Sequence, residues 1–182
     1  MLTLYFARDT ISLATLILLE EVGAPYRTVR IDFASTQQQS PEYLAVNPKG
    51  RLPALVTEHG VLTETPALLV YVAQRFGRHD LALIDDYFAF AQVQSIAAWF
   101  CSTLHINHSH RMRGTRWVDA ADKDAIAAMQ RHVPVSVGAN YDFVEREILK
   151  GPWVMGERYT LCDPYLYTLA QWLEQDGVDP AR

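Results

Sequence analysis

The sequence predicts two units of different class: a mixed α/β unit of order βαβ then ββα over residues 1–78, and an all-helical unit over residues 85–182. Three observations predict it. Strand-like, helical and strand-like patterns follow one another within about thirty residues of the start. Two further strand-like runs, joined by a tight turn, lead into a second helix. Beyond the polar stretch GRHD at 77–80 the alternating pattern stops and helical spacing takes over.

Each element has a local reason. Leu2 to Phe6 (LTLYF) is a short β-rich run. In ISLATLILLEEVG, residues Leu13, Leu16, Ile17 and Val22 can share a helical face, and Gly23 suits a left-handed stop. Arg27 to Asp32 (RTVRID) alternates as a half-buried strand, and the intervening helix lets the two strands run parallel. SPEYLAVNPKGRL holds one helical turn followed by breakers. Pro53 to Thr57 reads as a strand, His59-Gly60 as a tight turn, and Val61 to Thr63 as the returning strand. A helix is predicted from Pro66 to Phe76, stopped at Gly77. In the second unit Asp85 to Met112, Asp119 to Lys150 and Cys162 to Asp176 read as helical. Pro134 is expected to kink or split the middle one.

Composition narrows the class. A chain of 182 residues, 49% hydrophobic and 20% charged, has ordinary globular content and can bury a core without staples. A net charge of -5 gives no long-range attraction for nucleic acid or anionic membrane, so neither is expected as a partner. Two cysteines, Cys101 and Cys162, make no disulfide framework and read as buried thiols in a reducing compartment. The start lacks a signal-peptide pattern, and the longest apolar run is interrupted by Glu20 and Glu21 before it could span a bilayer. A cytoplasmic location is expected.

Several residues carry candidate chemistry. Thr65 precedes Pro66, which is favoured at the first helical position, so Thr65 is expected as the N-cap. Such a helix start attracts a carboxylate, and the neighbouring Glu64 offers a negative charge to an ammonium. Together they suit a ligand end with both groups on one carbon. Thr10 and Ser12 lie at the start of the first helix, where a hydroxyl can cap or can meet a ligand. His105 and His108 share a face at helical spacing, but the sequence supplies no third metal ligand, so no metal site is expected. Thr160-Leu161-Cys162-Asp163 fits a capping box with Asp in place of Glu, a structural device. Trp99, Phe100, Trp153, Tyr165, Tyr167 and Trp172 are expected in the core or at the contact between the units.

Four stretches in this order resemble glutathione transferases: EYLAVNPKGRLPALV at 42–56, TETPALLVYVA at 63–73, CSTLHINHSH at 101–110 and GERYTLCDPYL at 156–166. The resemblance covers almost the whole chain and is nearest to bacterial beta-type members. It implies a thioredoxin-like N-terminal domain that binds glutathione, an all-helical C-terminal domain, and a twofold homodimer. Family members carry a further C-terminal helix, which is expected to be missing here. Glu64 and Thr65 then hold the γ-glutamyl end of glutathione. Pro53 is implied to be cis, and the backbone of Leu52 pairs with the cysteinyl part. Arg51 is preferred to Gln37 or Lys49 for the glycine carboxylate.

The resemblance also implies a hydroxyl or thiol that steadies the glutathione thiolate. Candidates are Ser12 first, then Thr10, then Tyr5. Beta-type members carry a cysteine where Ile11 stands, so a protein–glutathione disulfide at this position is excluded. His105 matches the family's histidine on the second domain, while Ala98 and Ile106 depart from its asparagine and lysine. The implied activity is attack of activated glutathione, a co-substrate, on a hydrophobic electrophile, with no other cofactor. A glutathione-dependent peroxidase or disulfide reductase, or a non-catalytic glutathione-binding module, is the alternative.

Overall fold

The computed structural model describes residues 1–181. Its N-terminal domain is a four-stranded mixed sheet of order β2-β1-β3-β4. Strand β1 (Leu2–Phe6) pairs in parallel with β2 (Tyr26–Arg30) and antiparallel with β3 (Ala54–Thr57), which forms a hairpin with β4 (Gly60–Thr63). The turn residues are Glu58 and His59, one position earlier than expected, because Gly60 already pairs with Thr57. Helix α1 (Ser12–Glu21) makes the parallel crossover, and α3 (Thr65–Arg75) packs beside it. One turn, α2 (Pro41–Leu44), precedes the β3 hairpin and is capped by the Ser40 hydroxyl, which accepts from the Tyr43 N–H at 3.2 Å.

Helix α1 ends as predicted. Gly23 has φ +64, and the Gly23 and Ala24 N–H groups donate to the Glu20 and Leu19 carbonyls at 3.0 Å each. Its buried face differs from the expected one. Ala14, Thr15, Leu18 and Leu19 are buried, whereas Leu13, Leu16 and Ile17 are half-buried. The reason is that α1 has neighbours on two sides, α3 and the last long helix of the chain. An element enclosed in this way does not show a single apolar stripe.

The C-terminal region is helical. After the single turn α4 (His79–Ala82), α5 (Tyr87–Trp99) runs through a wide π turn at Phe100–Leu104 into α6 (His105–Ser109). Helix α7 (Lys123–Phe143) likewise passes into a π turn at Val144–Ile148. Pro134 stays inside α7 and does not split it. Gly177, at φ +77, packs against the ring of this proline: a Cβ there would lie 3.3 Å from Pro134 Cγ. The predicted helix from Cys162 to Asp176 is in fact α8 (Cys162–Ala170) followed by a separate 3₁₀ turn at Glu174–Asp176. Core side chains of the two regions are continuous, from Leu4 and Leu18 through Leu68 to Phe100, Leu161 and Tyr165. No helix among the described residues is long and apolar enough to cross a membrane.

The Thr160–Asp163 bonds of the predicted capping box are present at the start of α8, although the N-cap itself is Leu161, one position later than expected. Asp163 Oδ2 accepts from the Thr160 N–H at 2.7 Å, and the Thr160 hydroxyl accepts from the Cys162 N–H at 3.4 Å. Asp163 also takes the Val154 N–H at 2.8 Å, which ties the preceding loop to the helix. Truncating Thr160 should therefore cost about 1 kcal/mol, while Asp163→Ala should cost about 2–3 kcal/mol because two buried donors lose one acceptor. Thermal and urea melts will rank them; a Thr160→Ala loss as large as that of Asp163→Ala would contradict the assignment.

Candidate functional site

The carboxyl end of β1 runs into the loop Ala7-Arg8-Asp9-Thr10, with Asp9 at φ +55. Thr10 and Ser12 form a small network there. The Thr10 Oγ1 lies 2.8 Å from the Ala7 carbonyl and 2.9 Å from Ser12 Oγ, and it accepts from the Ser12 N–H at 3.3 Å. A hydroxyl has one proton, so when Thr10 donates to Ala7 the Ser12 hydroxyl donates to Thr10. Ser12 is fully buried, and Thr10 is only half-buried. Of the two, Thr10 is the one that faces open space.

That space is a cavity of about 400 Å³ lined by Phe6, Arg8, Thr10, Leu13, Leu16 and Trp172, among others. Its walls come from β1, α1 and the end of α8. A larger cavity of about 560 Å³ lies elsewhere, beside Arg78–Asp86 and Arg158–Tyr159. It holds none of the predicted site residues, and within its walls Arg78 pairs with Asp80 at 2.8 Å and His79 with Asp85 at 3.6 Å. Tyr5, the third hydroxyl candidate, packs against Tyr43 with centroids 5.7 Å apart and the rings tilted by 50°.

The loop from Asn47 to Pro53 is held by its own side chains. The Arg51 carbonyl accepts from the Tyr43 hydroxyl at 2.6 Å and from Asn47 Nδ2 at 2.7 Å. The Leu52–Pro53 bond is cis, as implied by the resemblance. Among the described residues no hydrogen bond engages the Leu52 N–H or C=O, and Arg51 keeps an exposed guanidinium.

Glu64 and Thr65 differ from expectation by one position. Thr65 is the first residue of α3, buried, and Glu64 is the N-cap, at φ +71 and ψ 116 with no side-chain cap. Thr65 is therefore not the N-cap. Glu64 needs a left-handed backbone at this site, which turns its exposed carboxylate away from the helix start and towards the loop. It pairs with Lys49 Nζ at 2.6 Å, and Lys49 also donates to the Thr63 hydroxyl at 2.9 Å. Lys49 and Glu64 lie fifteen residues apart, and only the fold brings them together.

Across the cleft stand the π turn and α6. Cys101 is half-buried and feels both Glu64 and Arg51; burial first, then the Glu64 charge, holds its thiol above the ordinary range. His105 packs on Trp172, ring centroids 5.4 Å apart. Burial, then the charges of His108, Arg116 and Arg51, push its pKa down to about 4. His108 serves the interior instead. Its Nδ1 meets the carboxylate of Asp176, which also forms an ion pair with Arg111 Nε at 2.7 Å. Among the described residues no group of three or more metal-ligating side chains is close enough to hold an ion.

The sheet order, the loop at 47–53 and the helix start at Glu64–Thr65 match a known architecture. The family model of the glutathione S-transferase N-terminal domain matches residues 1–74. A crystal structure of a glutathione transferase homologue from Sulfitobacter, with bound glutathione, is 48% identical; the match covers all of this chain and 86% of that one, with a TM-score of 0.94. The chain belongs to the glutathione S-transferase family. A beta class glutathione S-transferase from Sphingomonas chungbukensis is 26% identical over 98% of this chain and 86% of its own, with a TM-score of 0.83. The disulfide-bond oxidoreductase YfcG of Escherichia coli K12 is 26% identical over 90% of this chain and 76% of its own. The glutathione S-transferase fold thus accounts for the thioredoxin-like domain and the helical region together.

The histidine gives a direct check. A base whose folded pKa lies below the free value of about 6.5 stays neutral at physiological pH. The folded form is therefore weakened as pH falls from about 6.5 towards 4, since the unfolded chain takes up the proton first. The His105 imidazole resonance should titrate near pH 4; a midpoint above 6 would contradict the buried placement.

Proposed function

We propose that the chain is a glutathione transferase in which the Thr10 hydroxyl and the start of α1 hold the glutathione sulfur as thiolate, while the electrophile occupies the adjoining cavity. The observation that carries this reading is the position of Thr10: a half-buried hydroxyl at the head of a ten-residue helix, lining a largely apolar cavity. Glutathione lies along the cleft edge. Its γ-glutamyl ammonium takes the place of Lys49 on Glu64, its carboxylate meets the N–H groups that open α3, and its cysteinyl backbone pairs with Leu52. Arg51 takes the glycine carboxylate.

The chemistry follows from the hydroxyl network. Thr10 turns its proton from the Ala7 carbonyl to the incoming sulfur. Ser12, buried behind it, then donates to Thr10 Oγ1 and strengthens it as a donor. Ser12 is a positioning residue, and Thr10 touches the sulfur. A thiol with pKa near 8.5 must fall by about two units to be largely ionised at neutral pH. One hydrogen bond and the helix start supply stabilisation of that order. The thiol proton passes to solvent. The sulfur lone pair forms the C–S bond, and the leaving group departs with the electron pair of the bond it breaks. His105, neutral at physiological pH, shapes the cleft and is not the acid.

Ile11 in place of a cysteine supports transfer over a disulfide exchange that uses a protein thiol at this position. The exposed aromatic pair Tyr87 and Phe88 supports a twofold dimer, as in the family.

Two outcomes are expected. Glu64→Ala should weaken glutathione binding by roughly 1.5–3 kcal/mol in calorimetry, as the charged partner of the ammonium is lost. Thr10→Val should raise the pKa of bound glutathione by about one unit or more, followed by thiolate absorbance against pH. An unmoved pKa in Thr10→Val, or binding without turnover on any electrophile, peroxide or disulfide, would favour a binding module instead.

A further inference from the structure

Regular helical support stops short of one wall of the Thr10 cavity. Helix α8 ends at Ala170, yet the lining residues Gln171, Trp172 and Gln175 all lie beyond that point. They ride on short turns. The Trp172 N–H donates to the Leu169 carbonyl and the Leu173 N–H to that of Ala170, each at 3.2 Å, and the 3₁₀ turn at Glu174–Asp176 follows. Turns of this kind make poorer backbone hydrogen bonds than an α-helix. Such a wall needs support from outside its own backbone.

Helix α6 and the turn after it supply that support. Two imidazoles of α6 pack on the Trp172 ring, His105 tilted at 5.4 Å and His108 edge-on at 5.3 Å between centroids. His108 Nδ1 also meets the Asp176 carboxylate, and the Asp176 N–H donates to the Trp172 carbonyl at 3.0 Å. Arg111 makes two contacts with the same segment. Its Nε forms an ion pair with Asp176 Oδ1 at 2.7 Å, and its Nη2 donates to Gln175 Oε1 at 2.9 Å. Both gripping residues are themselves anchored on α7. The Arg111 carbonyl accepts from Gln130 Nε2 at 2.9 Å, and the His108 ring stands edge-on to Tyr141, 6.0 Å between centroids.

The carboxylate at the centre is fully buried, His108 is nearly so, and Arg111 is partly exposed. A buried ion pair adds little net stability over apolar residues of the same shape, but removing one partner strands the other charge and is strongly unfavourable. A carboxylate at this depth has no other partners to turn to, so it fixes the turn that carries it in one position. None of His108, Arg111 and Asp176 lines the cavity, yet each touches a residue that does, Trp172 or Gln175.

We propose that the His108–Asp176–Arg111 cluster is a clamp that sets the position of the Trp172 wall, and that these three are positioning residues for the electrophile half of the site. The proposal rests on the glutathione transferase reading above and deepens it. The clamp acts through Trp172 and Gln175 on whatever fills the cavity. Glutathione itself is held at the other end of the cleft, by Glu64, Leu52 and Arg51, and is outside its reach.

The test is calorimetric, with glutathione and S-hexylglutathione as ligands for the full chain. The hexyl chain reports on the cavity, and glutathione reports on the cleft beside α3. S-hexylglutathione should bind the wild type about tenfold or more tightly than glutathione. Asp176→Asn and Arg111→Gln should each cut that ratio about threefold or more, with glutathione affinity changed by less than about twofold. Arg111→Lys keeps a cation for Asp176 without the second contact on Gln175, so its ratio should fall between those of the wild type and Arg111→Gln. Trp172→Phe completes a double-mutant cycle: once the tryptophan is gone, Asp176→Asn should lower the ratio little further. Fully additive losses in that cycle overturn the proposal, as does a ratio that survives both Asp176→Asn and Arg111→Gln. Far-ultraviolet circular dichroism confirms that each variant is folded. An equal fall in affinity for both ligands, or failure of every clamp variant to fold, assigns the cluster to general stability and overturns the proposal too. A wild type that binds glutathione but shows no preference for S-hexylglutathione overturns it while leaving glutathione binding intact. If glutathione itself does not bind, the transferase reading fails, and this proposal with it.

Discussion

The structure depends on the burial of α1 on two sides. Ala14, Leu18 and Leu19 have no exposed surface, and the helix touches both α3 of its own domain and α8 of the helical region. Each fully buried leucine is worth about 1.5–3 kcal/mol. One element therefore holds the sheet, the helical region and the space between them in a single arrangement. Its first turn is where the Thr10–Ser12 network lies, so the packing that joins the two regions also aims the hydroxyl at the cavity. A site built on the end of a well-packed helix keeps its geometry better than one carried by a free loop.

Electrostatics divide the cleft lengthwise. At the α3 end a carboxylate faces a lysine, an arrangement that an amino-acid end can enter by exchanging one cation for another. At the α6 end the charge is positive and unbalanced, with a neutral histidine between. A ligand whose zwitterionic head can replace Lys49 on Glu64 matches the α3 end, and glutathione has such a head. The overall acidity of the chain does not predict this local field, because a net charge sums over a surface that a ligand never meets.

Much of the architecture was legible in the amino-acid order. The βαβ-ββα pattern, the glycine stops at Gly23 and Gly77 and the capping box at Thr160–Asp163 are local features, and local features survive folding. What was not legible arose from pairings distant along the chain. The resemblance put Ser12 first among the hydroxyls, but the packing of the helix start buries it, and Thr10 is the one that lines the cavity. The lysine that meets Glu64 stands fifteen residues away. Pro134 was expected to kink or split a helix; α7 is not split there, and the proline packs on Gly177, a contact no period reveals. The π turns at Phe100–Leu104 and Val144–Ile148 also escape pattern reading, since each widens a helix without any proline or glycine to mark it.

The central claim is that Thr10, and not Ser12 or Tyr5, meets the glutathione sulfur. A crystal structure with glutathione bound tests it most directly. The account predicts the sulfur within hydrogen-bonding distance of Thr10 Oγ1, with the Leu52 backbone paired to the cysteinyl unit and Arg51 on the glycine carboxylate. Sulfur placed against Tyr5, or a rearranged α1 start that exposes Ser12 to it, would contradict the account.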